Sequence, residues 1–208
     1  MKGCFITLEG GEGVGKSTQI ALLKSYLEKK NIKALFLREP GGTAIGEKLR
    51  EIILDVKNKE MSDECEAMLY ATARIQLVKE VLLPHLSNGE LIFCDRYYDS
   101  SIAYQGFARG LGEDFIKKIN SFAIENCPPD KTVFFNLDPV KAFSRKGGAD
   151  ADDRIEQHGI EFHQKVYKGY LKLMEDEPQR IVSVVPDGTK EDTHSKVVKI
   201  VEDVLKNR

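Results

Sequence analysis

Residues 10–17 read Gly10-Gly11-Glu12-Gly13-Val14-Gly15-Lys16-Ser17, which satisfies the spacing G-x-x-x-x-G-K-[ST] in full. No other stretch restricts the fold as tightly. The preceding residues 4–9 are rich in Phe, Ile and Thr and read as a strand. The following residues 17–30 carry Ile20, Leu23 and Leu27 on one stripe and read as a helix. A chance Gly-rich turn would lack this strand–loop–helix setting. Glycines let the loop turn backbone N–H groups onto phosphate oxygens, and the start of the helix adds its partial positive charge. Lys16 supplies a full charge at the outer phosphates, and Ser17 a hydroxyl suited to a magnesium ion. With Thr18 included, the candidate phosphate cradle comprises Gly10, Gly11, Glu12, Gly13, Val14, Gly15, Lys16, Ser17 and Thr18.

The rest of the chain alternates short apolar runs with longer helical patterns. Residues 34–37, 91–94, 132–137 and 181–185 read as four more strands. Helical patterns cover residues 45–54, 63–83, 114–126, 140–145, 155–177 and 191–206. Ser62 caps the second of these and Pro84 falls near its end, while the third stops before Pro128-Pro129. Five apolar strands separated by helices predict an α/β fold, a five-stranded parallel sheet with helices on both faces. Right-handed crossovers make it doubly wound, with ligands at the carboxyl ends of the strands. At 208 residues this is a single domain, 1–208. Residues 147–153, Gly-Gly-Ala-Asp-Ala-Asp-Asp, are small and acidic and read as a mobile segment between two helices.

Composition narrows the function. Lys plus Arg number 31 and Asp plus Glu 33, a net charge of -2, so the chain is a poor wrapper of nucleic acid and must meet any anion with a local cluster. No apolar run approaches the roughly 20 residues of a membrane helix. The N-terminus turns acidic at Glu9, too soon for a signal peptide. Cys4, Cys65, Cys94 and Cys127 are dispersed, which argues against a zinc site or a disulfide framework and for reduced, mostly buried thiols in the cytoplasm.

Leu91-Ile92-Phe93-Cys94 ends in Asp95, a carboxylate at the ligand-facing tip of a strand, where a second magnesium-ordering group belongs. Arg96 follows at once. There a guanidinium can grip an acceptor phosphate through paired donors, or simply pair with a neighbouring carboxylate.

These stretches, together with Arg38-Glu39-Pro40-Gly41-Gly42-Thr43, Asp95-Arg96-Tyr97, Asp99-Ser100-Ser101, Ala103-Tyr104-Gln105-Gly106 and Asp153-Arg154, resemble the thymidylate kinase family, its bacterial form in particular. The resemblance spans nearly the whole chain. It implies a P-loop nucleoside monophosphate kinase fold with a short lid around residues 145–154. It further implies magnesium-dependent, in-line transfer of a phosphoryl group from ATP to dTMP, giving dTDP for dTTP synthesis. Carried onto this sequence, Glu12 looks like the acceptor for the sugar 3′-hydroxyl, and Arg38, Arg50 and Arg96 like the clamp on the dTMP phosphate. Tyr70 and Arg74, four apart on one helix, look like a ring stacked on thymine and a donor to its O4. Ser101 and Gln105 resemble polar contacts to the base edge, and Tyr104 the ring that crowds the 2′ position. The catalytic set implied is Lys16, Arg96, Arg145 and Arg154, with Lys146 beside them in the lid, and the metal set is Ser17 and Asp95.

The family usually forms homodimers. The stripe Met68, Ile75 and Leu82 offers such a face or a core face. Rival readings are another nucleoside monophosphate kinase, a GTP switch and a nucleic-acid-handling ATPase. The switch would read guanine with Asn-Lys-x-Asp, but Asn58-Lys59 is followed by Glu60-Met61. Net charge and size argue against the ATPase.

Overall fold

A computed structural model describes residues 3–146, 154–155 and 158–206. Five strands, β1 (Cys4–Glu9), β2 (Leu35–Arg38), β3 (Leu91–Asp95), β4 (Lys131–Phe135) and β5 (Ile181–Val184), form one sheet in the order β2-β3-β1-β4-β5. Every pairing is parallel. The helices are α1 (Lys16–Lys29), α2 (Ala44–Leu54), α3 (Asp63–Leu77), α4 (Leu83–Ser87), α5 (Tyr98–Ser101), α6 (Glu113–Ile119), α7 (Ser121–Asn126), α8 (Pro139–Lys146), α9 (Ile160–Asp176) and α10 (Lys190–Lys206). Two π-helical segments, Val78–Leu82 and Ile102–Ala108, continue α3 and α5.

The period-two alternation of strand side chains sorts the core into two layers. Cys4, Ile6 and Leu8 of β1 pack with Leu23 and Leu27 of α1 and Val197 and Val201 of α10. Phe5, on the opposite face, packs with Leu77, Tyr97, Phe134 and Tyr170. The strands are therefore covered on both sides, as the apolar runs required. β1 lies between β3 and β4, so the chain order reverses beside it and a crevice opens at the carboxyl ends. Leu8 and Arg38 both pair with Asp95 in register. Glu9, Arg38 and Asp95 are thereby delivered to one edge of the sheet.

The strand expectations agree with the structure to within two residues at each end. The helices differ in four places, each with a cause. The pattern over 63–83 ends as α-helix at Leu77, and the wider π turn that follows shifts the phase. Met68 and Ile75 stay exposed while Leu82 is fully buried, so these three are not one face. Pro84 sits in the first turn of α4, where its missing N–H costs little. The segment 114–126 breaks at Asn120. Its side chain donates to Ile116 O at 2.9 Å and accepts from Arg74 Nη1 at 2.6 Å. The helix expected over 155–177 begins at Ile160, because Arg154 and Ile155 form a turn in which Arg154 N bonds Leu54 O. Finally, α5 and its π continuation escaped the sequence reading. Every residue from 97 to 106 is buried, so this helix has no polar face and no amphipathic period.

Residues 147–153 of the expected lid and the side chain of residue 146 lie outside what the structure describes. No helix among the described residues is long and apolar enough to cross a membrane. Cys4, Cys94 and Cys127 are buried and Cys65 is exposed.

Candidate active site

The loop between β1 and α1 takes its shape from glycines at positive φ: Gly10 at 147°, Gly13 at 71° and Gly15 at 94°. A Cβ on Gly13 would come within 3.0 Å of Ala142 O, so the loop also needs glycine for close approach to α8. Lys16, nearly buried, lies across the loop and donates Nζ to Gly10 O at 3.1 Å and Gly11 O at 3.0 Å. Burial and the nearby Arg96 charge lower its pKa, against the pull of Glu12, Asp95 and Glu9. Ser17 and Thr18 are exposed at the start of α1, whose first turn carries no acidic residue. That leaves the positive end of the helix free for an anion.

Arg96 has a φ of 68°, in the left-handed region that non-glycine residues rarely adopt. This turn directs the side chain back over the loop. Nη1 donates to Gly10 O at 3.0 Å and Ser100 Oγ at 3.3 Å, and Nη2 bonds Glu12. The guanidinium also lies over the Tyr104 ring, 5.0 Å from its centroid. A carboxylate inside a phosphate-binding loop looks self-defeating in the sequence, and Arg96 resolves it. Burial pushes the Glu12 pKa up, but the charges of Arg96 and Lys16 outweigh that and hold it at about 2. Tyr104 Oη adds a hydrogen bond to Glu12 at 3.3 Å.

A cleft opens beside Arg96. All nine acceptor-side residues of the sequence reading line it: Glu12, Arg38, Arg50, Tyr70, Arg74, Arg96, Ser101, Tyr104 and Gln105. Arg38 and Arg50 converge on one atom, donating to Pro40 O at 2.9 and 3.1 Å. Glu47 braces Arg38 through Nη2 at 2.9 Å and accepts from Gly42 N at 2.7 Å. Arg74 donates Nε to Glu39 at 2.7 Å and Nη1 to Ser101 Oγ at 3.0 Å. Asp95 reaches the same cleft, and its Oδ1 is buried without a hydrogen-bond partner among the described residues.

Two residues of the expected catalytic set are not brought to the cradle. Arg145 donates to Pro186 O at 2.8 Å. Arg154 donates to Ile53 O at 3.1 Å and bonds the buried carboxylate of Glu66.

Several residues that shape the site were not singled out from sequence. Glu9 is fully buried and accepts from Tyr97 N, Ser100 Oγ and Tyr170 Oη at 2.7, 2.6 and 2.8 Å. Burial and the Asp99 charge push its pKa up to about 7. Its one signal was position: it ends an apolar strand, as Asp95 does. Glu39 lay inside the quoted Arg-Glu-Pro-Gly-Gly-Thr run without a role, and burial pushes its pKa up to about 7 despite Arg74. Glu66 and Tyr170 lie on helices and Asn120 at the junction between two, where nothing local marks them.

A family model described as thymidylate kinase matches residues 8–197. A thymidylate kinase of Caldanaerobacter subterraneus subsp. tengcongensis is 47% identical over 208 residues, covering 99% of this chain and 98% of that protein. One of Thermoanaerobacter pseudethanolicus is 44% identical over 207 residues, covering 99% and 100%. One of Halalkalibacterium halodurans is 41% identical over 206 residues, covering 98% of each.

Proposed function

Because this chain belongs to the thymidylate kinase family, and as such phosphorylates dTMP to dTDP with ATP as donor, we propose how its residues divide that work. The observation that carries the assignment is the cleft itself, where nine acceptor-side residues meet next to the P-loop. ATP lies with its outer phosphates on the amides of residues 10–18 and on Lys16. dTMP lies opposite, its phosphate between Arg38, Arg50 and Arg96. Tyr70 stacks on the base, Arg74, Ser101 and Gln105 read its edge, and Glu12 takes the 3′-hydroxyl beside Tyr104.

An oxygen of the dTMP phosphate then attacks the γ-phosphorus in line, and the bond to ADP breaks with its electron pair. The acceptor is already an anion at neutral pH, so no general base is required. Positioning and charge neutralisation do the rest. The residues also fit magnesium. Asp95 keeps an unpartnered buried oxygen and Ser17 an exposed hydroxyl, a hard-oxygen pair that suits an ion arriving on a nucleotide. When bound, the ion would neutralise charge on the phosphate oxygens.

We assign the lid contribution to Arg145 before Arg154. Arg145 is exposed and held by one carbonyl, with Lys146 next to it. Arg154 sits on a buried carboxylate, and drawing it away would weaken that carboxylate's compensation. The whole chain acts as one domain, 1–208, with residues 145–154 as its lid, in the cytoplasm. It works as a homodimer through α2 and α3, where Ile45 and Ile52 on the first and Met68 and Ile75 on the second are exposed, seven residues apart within each helix.

The test is ADP release with ATP, magnesium and a panel of nucleoside monophosphates. Strong preference for dTMP is expected. Preference for another monophosphate would void the base-pocket roles, and no transfer to any monophosphate would void the kinase reading.

A further inference from the structure

Gln105 lines the cleft, but its amide is not free to choose which end faces the ligand. Nε2 donates to Glu66 Oε1 at 2.8 Å, a bond buried on both sides. Glu66 is fully buried behind the cleft wall and does not line it. Two arginines hold that carboxylate. Arg109 donates Nη2 to Oε2 at 2.8 Å and Nε to Oε1 at 3.2 Å, and Arg154 bonds Oε2. Burial alone would raise the pKa of Glu66, but the Arg109 hydrogen bond and charge, with Gln105 and Arg154, lower it. Glu66 is therefore an ionised group that can only accept hydrogen bonds. An acceptor-only neighbour forces the NH2 of Gln105 toward itself, so Gln105 shows its carbonyl oxygen to the cleft.

The consequence lies in base chemistry. Thymine offers an N–H donor at N3 and an acceptor at O4. Cytosine offers the reverse, a bare acceptor at N3 and an amino donor at C4. A carbonyl at Gln105 suits the N3–H of thymine and repels the N3 lone pair of cytosine. We infer that Glu66, which does not line the cleft, is a specificity-determining positioning residue: by fixing the Gln105 amide it makes the cleft select thymine over cytosine. The inference rests on the base-pocket reading above and adds a residue to it.

The same geometry makes one substitution diagnostic. In Glu66→Gln, two arginine donors still meet at the Oε2 position, so the new amide puts its oxygen there. Its NH2 then takes the Oε1 position, where it displaces the longer Arg109 Nε contact of 3.2 Å and faces Gln105 at 2.8 Å, so Gln105 must turn over and present its own NH2 to the cleft. The measurement is kcat/KM for dTMP and dCMP in the wild-type and variant proteins, with ATP binding and thermal melting to verify the fold. The dTMP-to-dCMP ratio should fall by about a hundredfold in Glu66→Gln, because a reversed donor leaves buried groups unpaired. Equal losses on both substrates would reduce Glu66 to a structural role and overturn the inference. A wild-type protein inactive on dTMP would instead strike the base-pocket reading itself. Should the variant fail to fold, neutron diffraction from the wild-type protein answers the same question, since it distinguishes the amide nitrogen by its deuterons. Both deuterons are expected on the Gln105 atom facing Glu66, and deuterons on the cleft side would overturn the proposal.

Discussion

Arg74 and Glu39 form an ion pair almost wholly out of water, with 1% and 3% of their side chains exposed and Nε 2.7 Å from Oε2. Glu39 Oε1 has no partner among the described residues, so Arg74 carries the compensation of that carboxylate. Arg74→Met should therefore destabilise the fold by about 3–5 kcal/mol, the usual cost of leaving a buried charge unpaired. The double variant Arg74→Met with Glu39→Gln should recover most of this, because it removes the charge as well as its partner. Urea denaturation of both variants is the measurement, and equal losses would show that the pair carries no coupling.

Glu9 gives the protein a pH dependence that can be isolated. Its folded pKa is raised from 4.5 to about 7 by burial and by Asp99. A raised folded pKa means the protonated form is favoured in the native state. The stabilisation is complete below the unfolded pKa of 4.5 and is lost as pH climbs through about 7. Glu39 acts in the same direction and the depressed histidines in the opposite one, so the wild-type curve alone is ambiguous. The difference between Glu9→Gln and wild type removes them. It should grow in favour of the variant by roughly 2–3 kcal/mol between pH 5 and pH 8. A flat difference across that range would mean that Glu9 titrates normally.

How much of this was legible in the sequence depends on the reach of each interaction. The P-loop, the five strands and Asp95 were readable because their signals are local: spacing, apolar runs and a terminal carboxylate. Of the nine cleft residues, Arg96 was readable from its place after Asp95, and the acceptor-side roles of the other eight only through resemblance to a family, since nothing local distinguishes Arg50 from any solvated helix arginine. Their buried partners were not legible at all. Glu66 contacts Arg154 across 88 positions and Asn120 contacts Arg74 across 46, separations that no periodicity encodes. The π turn at Val78–Leu82 hid in the same way, because it changes the phase of a helix without changing its composition.

Met68 and Ile75 are 51% and 38% exposed, whereas Leu82, the third member of the same stripe, is buried. Met68→Asp should convert a homodimer to monomers while leaving the fold intact, as read by sedimentation velocity. Leu82→Asp should instead unfold the chain, because it places a charge in the core. A wild-type chain that sediments as a monomer at micromolar concentration would remove the dimer proposal.

Lys16 bridges two carbonyls of the P-loop with a buried ammonium. Lys16→Ala should lower turnover by at least about a hundredfold, because the migrating phosphoryl loses a positioned charge. Binding of dTMP should change little, since Lys16 does not line the acceptor cleft. Isothermal titration with dTMP alone, beside steady-state turnover, separates the two effects. Near-normal turnover in a folded variant would sink the P-loop assignment.

Arg96 combines two demands that different substitutions can pull apart. Its guanidinium serves the site, while its backbone sits at a φ of 68° that an L-residue adopts only under strain. Arg96→Ala and Arg96→Gly both delete the guanidinium, and both should lose at least about a hundredfold in turnover. They should differ in stability. Glycine tolerates the left-handed conformation and alanine does not, so the glycine variant should be the more stable by about 1 kcal/mol. This reverses the usual order, in which glycine weakens a chain relative to alanine by enlarging the unfolded ensemble. Urea denaturation of the two variants decides it. An alanine variant as stable as the glycine one would mean that the backbone relaxes once the side chain is gone. The turn at residue 96 would then be imposed by the bonds from its guanidinium to Gly10 and Glu12, and not by the β3–α5 connection.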